Sequence, residues 1–92
     1  MRYRWDEAKC VSNLKKHRLD FADAEIVFDG LTLTFEDDRF DYDEQRFITI
    51  GLLDGQFVVI AHTEEADDVT RIISMRKATK HEERIFFRAF RD

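Results

Sequence analysis

Apolar positions along the 92-residue chain change their period partway through. Over residues 7–17, Ala8, Val11 and Leu14 recur every three positions, as along one stripe of a helix, and Asp6 stands where an N-cap belongs. Lys9, Asn13, Lys16 and His17 then share the opposite, polar side. A second, shorter helix is predicted over about 21–28, capped by Asp20, with Ala24, Val27 and Phe28 as its apolar face and Asp29-Gly30 as its end. From Leu31 the period falls to two. Leu31, Leu33 and Phe35 alternate with Thr32, Thr34 and Glu36, the pattern of a strand. An acidic turn is expected over 37–43, and a second strand over Phe47–Leu53. Asp54-Gly55 is a two-residue hairpin signal, because a type I′ turn requires positive φ at both positions. The returning strand, 57–63, is apolar on both faces and so is expected to be central. An acidic loop over 64–68 leads to a fourth strand over 69–76. Thr79 and Glu82 match a capping box for a last helix, Lys80–Phe90, which would bury Ile85, Phe86 and Phe90. Tyr3 and Trp5 can start a short N-terminal strand. The expected fold class is α+β: one domain over 1–92, a twisted antiparallel four-stranded meander packed by two N-terminal helices and one C-terminal helix.

Composition narrows the function. An apolar fraction of 43% with nine Phe is enough for one core without staples. The single cysteine, Cys10, excludes an internal disulfide, and its place near the helical stripe predicts burial. The three histidines, His17, His62 and His81, lack metal-ligand spacing, so neither a metal nor a cofactor is expected. The longest apolar run, 57–61, is far short of the ~20 residues of a membrane span. The first residues lack the apolar core of a signal peptide, so a cytoplasmic protein away from membranes is expected. Acids outnumber bases 20 to 15, a net charge of −5, which on its own argues against nucleic acid as a partner. The distribution changes that inference: residues 1–18 carry +4, residues 19–70 carry −13, and residues 71–92 carry +4. If the fold brings the two basic ends together, they form a local positive site on an acidic body.

Three constellations carry chemistry. In the first, strand alternation puts Ser74 and Arg76 on one face and Arg71 on the other, with Lys77 following; an Arg fork binds phosphate oxygens bidentately. The plain alternative is a solvated strand end. The second is the polar helix face of Lys9, Asn13, Lys16 and His17, where an imidazole able to take or give a proton stands among cations. Its plain alternative is a helix C-terminus whose bases suit the dipole. In the third, His62-Thr63-Glu64-Glu65, a His beside carboxylates is either an acid–base group or a half-buried, hydrogen-bonded ring followed by an acidic loop. Glu44 and Arg46 read as a simple pair between strands.

Together, three stretches carry a family resemblance: Trp5-Asp6-Glu7-Ala8-Lys9 through Asn13-Leu14-Lys15-Lys16-His17 and Phe21; Glu44-Gln45-Arg46-Phe47-Ile48-Thr49-Ile50-Gly51; and Arg71-Ile72-Ile73-Ser74-Met75-Arg76-Lys77-Ala78-Thr79. The set resembles the BrnT family of bacterial type II toxins, over about residues 3–84. The resemblance implies a RelE-like fold, an RNA-cleaving toxin that blocks translation, and a BrnA-like antitoxin partner. That partner would pair into a dimer holding two toxins, a heterotetramer, and operator DNA would be bound only through the antitoxin. Two positions depart from the family pattern: Glu65 stands where Arg is common, and Met75 where Ala is common. Metal-independent cleavage through the ribose 2′-hydroxyl needs a base, an acid and cations on the phosphorane. Arg76 is the expected phosphorane stabiliser, and His17 and then His62 are the acid–base candidates. Lys9, Lys16, Arg71 and Lys77 would hold phosphates. The alternative is a disabled homologue or engineered variant that acts only as a binding module, with Glu65 as its mark.

Overall fold

The structure is a computed structural model that describes residues 2–39 and 43–91; residues 40–42 of the expected acidic turn lie outside the described residues. The chain opens with strand β1 (Arg2–Trp5), helix α1 (Glu7–His17), a single 3-10 turn (Phe21–Asp23) and helix α2 (Ala24–Asp29). Strands β2 (Leu33–Glu36), β3 (Phe47–Leu53), β4 (Gln56–Glu65) and β5 (Val69–Lys77) follow, and helix α3 (Lys80–Phe90) closes it. Local chemistry sets most of the boundaries. The Asp6 carboxylate accepts the Lys9 N–H at 3.2 Å, and the Asp20 carboxylate accepts the Ala22 N–H at 3.0 Å. Thr79 and Glu82 complete a reciprocal capping box. Asp54 (φ 51°) and Gly55 (φ 77°) make the predicted two-residue hairpin, with Leu53 opposite Gln56.

The strands form one five-stranded sheet in the order β1-β5-β4-β3-β2. This corrects the four-stranded antiparallel meander. The meander is present, but β1 adds to it in parallel, with Arg2 opposite Val69 and Trp5 opposite Ile72, so the sheet is mixed. β4 is central, as expected, and it runs on through Glu64 and Glu65, which sequence alone placed in a loop. The turn is instead made by Ala66, Asp67 and Asp68, the two aspartates at φ 63° and 59°.

Each face of the sheet carries its own core. On one face, Leu53, Val58, Ile60, Ile72 and Met75 pack with Cys10, Leu19, Phe21, Ala24 and Val27. On the other, Ile48, Ile50 and Val59 meet Phe86 of α3, whose ring also touches those of Phe57 and Phe90. Gly51 marks where α2 crosses the sheet: a Cβ there would stand 2.7 Å from Val27 Cγ1.

α1 is rolled relative to the expected helix. Val11 and Leu14, the predicted apolar stripe, are half exposed, and Ala8 is exposed. Cys10 and Asn13 face inward instead. The cause is hydrogen bonding. β1 pairs only with 69–72, so the rest of β5 is an open edge. Asn13 covers that edge, its Oδ1 accepting the Met75 N–H at 3.1 Å and its Nδ2 donating to the Leu19 carbonyl at 3.0 Å. Buried backbone groups left without partners would cost more than two half-exposed apolar side chains return.

Asn13→Ala orphans both backbone groups and should cost about 2–4 kcal/mol in urea unfolding. Gly51→Ala should cost about 1–3 kcal/mol in the same measurement, through overpacking against Val27.

Candidate functional site

The roll of α1 decides what its last turn meets. Lys16, His17 and Arg18 converge with Arg76, Lys77 and Thr79 around a surface hollow of about 530 Å³. The two basic ends of the sequence therefore do come together, at the edge of β5 that β1 leaves open. Lys16 is exposed and His17 half-buried. Arg18 terminates the helix at φ 61°, its N–H donating to the Leu14 carbonyl at 2.9 Å. The αL region is costly for a residue with a Cβ, and this conformation sets where the guanidinium begins. Sequence reading missed Arg18; the signal was a basic residue at the position that usually takes glycine. Lys9, also expected to bind phosphate, is exposed on α1 and does not line the hollow.

Arg76 is held from the other side. Its Nη1 and Nη2 donate to the two carboxylate oxygens of Glu82, both at 2.7 Å. Glu82 also accepts the Thr79 N–H at 2.8 Å, so one carboxylate caps α3 and aims the guanidinium. The Arg76 guanidinium holds the Glu82 carboxyl far below its ordinary 4.5, at about 2. Arg76 also lines a narrower cleft with Phe35, Asp37, Arg39 and Glu82.

The second cluster lies on the α3 side of the sheet, nearer the start of β5. Alternation along β5 is broken: Ser74 pairs with Ala61 but Ile72 pairs with His62, leaving Ile73 as an extra, bulged residue. The bulge corrects the expected facing. Arg71, opposite Thr63, shares a face with Ser74 and Arg76 rather than opposing them. There it stands beside Arg4, its register partner on β1. Two like charges at that spacing repel unless a counter-ion intervenes, and Glu65 supplies it. The carboxylate accepts Arg4 Nε at 2.5 Å and Nη2 at 2.6 Å, and lies 3.6 Å from Arg71 Nε. The Arg4 guanidinium, with Arg71 adding, pulls the Glu65 carboxyl below its ordinary range. Arg71 also pairs with Glu44, which lies 3.9 Å from Arg46 Nε. Glu44 and Arg46 therefore do pair, but two residues apart in one segment and not across strands. Arg4 was not picked out from the sequence, because nothing in the local pattern places it beside Arg71.

Of the two alternatives for His62, the geometry is that of the hydrogen-bonded ring, buried more completely than expected. Its ring is 1% exposed, walled between Phe28 edge-on at 5.1 Å and Phe47 stacked at 5.9 Å. Nε2 shares a 2.7 Å hydrogen bond with Thr49 Oγ1, which in turn bonds Thr34 Oγ1 at 2.7 Å. Nδ1 lies 3.1 Å from Glu64 Oε1, out of line for a hydrogen bond. Burial pushes the imidazole below its ordinary 6.5, against the pull of Glu64. A ring so enclosed cannot reach a substrate at the hollow, and it serves the core as a polar strut.

A family model described as "Ribonuclease toxin, BrnT, of type II toxin-antitoxin system" matches residues 5–82. The fold is similar to that of the Brucella abortus ribonuclease toxin BrnT, solved by crystallography at 1.1 Å. The likeness has a TM-score of 0.67 and 29% sequence identity, and covers 87% of this chain and 99% of that one. No curated protein matches the chain. The matched span contains every residue of the hollow and Glu82, while Arg4 lies just outside it.

Because the Arg76 pair holds the native Glu82 carboxyl at about 2, its contribution to stability is full above about 4.5 and is lost as pH falls from there towards 2. The parent should lose about 1–2 kcal/mol across that window after screening, and Glu82→Gln, which retains a capping residue, should not. Buried neutral His62 acts higher up the scale. The unfolded chain binds its proton more readily, so this contribution is full above 6.5 and falls below it. NMR titration should find the His62 ring still neutral at pH values where an exposed imidazole is protonated.

Proposed function

The chain belongs to the BrnT family of ribonuclease toxins of type II toxin–antitoxin systems, and from that premise we propose that it cleaves RNA in the hollow between α1 and β5, through the ribose 2′-hydroxyl and without a metal ion. The observation that carries this reading is the convergence of His17 with Lys16, Arg18, Arg76 and Lys77 around one opening.

In this reading a phosphodiester enters with its non-bridging oxygens towards the cations. The 2′-hydroxyl loses its proton and its oxygen attacks phosphorus. The bond to the 5′-oxygen breaks, and that oxygen takes up a proton, leaving a 2′,3′-cyclic phosphate and a 5′-hydroxyl. His17 handles the proton at one end of this in-line displacement, a role worth on the order of 10²–10⁴-fold. Arg76 stabilises the phosphorane, where charge is greatest, and Glu82 fixes its plane. Lys16, Lys77 and Arg18 hold flanking phosphates. Lys9 and Arg71 lie away from the hollow and would touch only a longer substrate. Cleaving cellular RNA would inhibit translation.

As partner we propose a BrnA-like antitoxin whose dimer holds two toxin chains and carries the contact to operator DNA. The type II family description supports a protein antitoxin. Val11 and Leu14, exposed on α1 beside Lys15 and Arg18, offer it apolar contact next to the hollow.

Purified protein should cleave bulk RNA equally with and without EDTA and leave DNA intact. Arg76→Ala should cut on the order of 10²–10³-fold more slowly and should no longer arrest growth when expressed without antitoxin. A folded Arg76→Ala protein as active as the parent would remove Arg76 from the mechanism. Cleavage by Glu65→Arg alone would make the parent a disabled toxin.

A further inference from the structure

The Arg4–Arg71 cluster is not used by the chemistry at the hollow, yet it is assembled with care. It gathers three guanidiniums, Arg4 from β1, Arg71 from β5 and Arg46 from the lead into β3, around the carboxylates of Glu44 and Glu65. Arg71 is there only because of the bulge at Ile73. Directly across from Arg71 on the same face is Thr63, 3% exposed, whose buried hydroxyl oxygen has no hydrogen-bond partner among the described residues. A hydroxyl sealed without a partner under a group of guanidiniums costs stability unless something polar reaches it in another state.

The way Glu65 binds indicates what that something is. Its two oxygens meet Arg4 Nε and Nη2 in the side-by-side fork that guanidinium makes with a carboxylate or with two oxygens of a phosphate. A phosphodiester offers the same pair of oxygens and the same charge. We propose that this cluster is a phosphodiester subsite for single-stranded RNA, closed in the free protein by Glu65, a built-in counter-ion that the incoming phosphate must displace. The inference rests on the reading of RNA as substrate. Arg71 and Arg76 share one face of β5 and lie five residues apart, roughly 15 Å, so a strand cut at the hollow would cross the subsite a few nucleotides away. Displacing Glu65 frees the Arg4 fork and the Nε side of Arg71, whose Nη2 stays on Glu44, and gives the Thr63 hydroxyl an oxygen to bond. The same displacement lowers affinity in proportion to how firmly Glu65 is held, so the subsite selects RNA already positioned by other contacts.

The test uses the full chain and a 2′-O-methyl oligonucleotide, which cannot be cleaved, with binding read by fluorescence anisotropy over a range of salt. Glu65→Gln keeps the shape and removes the competing charge. It should tighten binding at least fivefold at low salt and steepen the log K against log salt slope by about 0.7–1.4, one or two added phosphate contacts on a single strand. Adding Arg71→Ala to Glu65→Gln should return both values to those of the parent. Parental affinity and slope in a Glu65→Gln protein that melts normally would overturn the proposal. So would an equal gain in affinity for polyglutamate, because the site would then respond to charge without the phosphate fork. Cleavage of unmodified RNA in the same preparations separates the two readings. Tighter binding without any cleavage keeps the subsite and removes the ribonuclease, whereas cleavage with unmoved binding does the reverse.

Discussion

The amide of Asn13 holds the molecule's organisation together. A short β1 leaves β5 with backbone donors facing outwards beyond Ile72, and an open edge invites pairing with another chain. Asn13 occupies that edge, bonding the Met75 N–H with one end of its amide and the Leu19 carbonyl with the other. The first bond fixes the roll of α1 against the sheet, and the second fixes the chain reversal after it. Both distances are ordinary, yet together they decide that Cys10 turns inward, that Val11 and Leu14 turn outward, and that the last turn of α1 ends beside Arg76 and Lys77. The cationic hollow is thus a consequence of closing a sheet edge.

The second constraint is the bulge in β5. In a strand continuing regularly from Met75, Arg71 would face α1 and α2, where a guanidinium would have to be buried in the core of Met75 and Phe21. One extra residue, Ile73, switches the face and delivers Arg71 to solvent beside Arg4. β5 therefore carries basic groups at both ends of one face, Arg71 near its start and Arg76 near its end, each paired to a carboxylate from another element.

What the sequence revealed follows the range of the interaction involved. Period-two alternation, the Asp54-Gly55 hairpin, the Asp6 and Asp20 caps and the Thr79–Glu82 box depend on residues within a few positions, and all were legible. The parallel pairing of β1 was not, because it joins residues more than sixty apart and leaves no mark on the local period. The roll of α1 was misread because Asn13 looks like an exposed polar residue until its two backbone partners are known. The bulge was invisible because Arg71-Ile72-Ile73-Ser74 fits uninterrupted alternation equally well. Among the candidate site residues, Arg76, Lys16, His17 and Lys77 were legible as a basic set whose meeting was conditional on the fold. For His62 both an acid–base group and a hydrogen-bonded ring stayed open, because residue type tells nothing of the Phe28 and Phe47 rings that enclose it.

The net charge of −5 takes on a different meaning once the pairs are known. The acids are not spread as a uniform repulsive field. Glu82 sits on Arg76, Glu65 on Arg4 and Arg71, and Glu44 on Arg71, so several carboxylates of the chain are counter-ions to the cations a phosphate would use. Long-range attraction depends on the unneutralised sum and is weak here, since it is screened beyond about a Debye length. Short-range recognition depends instead on whether a phosphate can replace a carboxylate in the same fork, an exchange of similar hydrogen bonds with a modest net energy. On the proposed reading, a protein built this way would gain little from RNA in general and would discriminate by geometry, because only a strand that fits the hollow would supply enough contacts to open the second pair. Acidity and nucleic-acid chemistry are therefore compatible, with the acids setting the threshold for engagement.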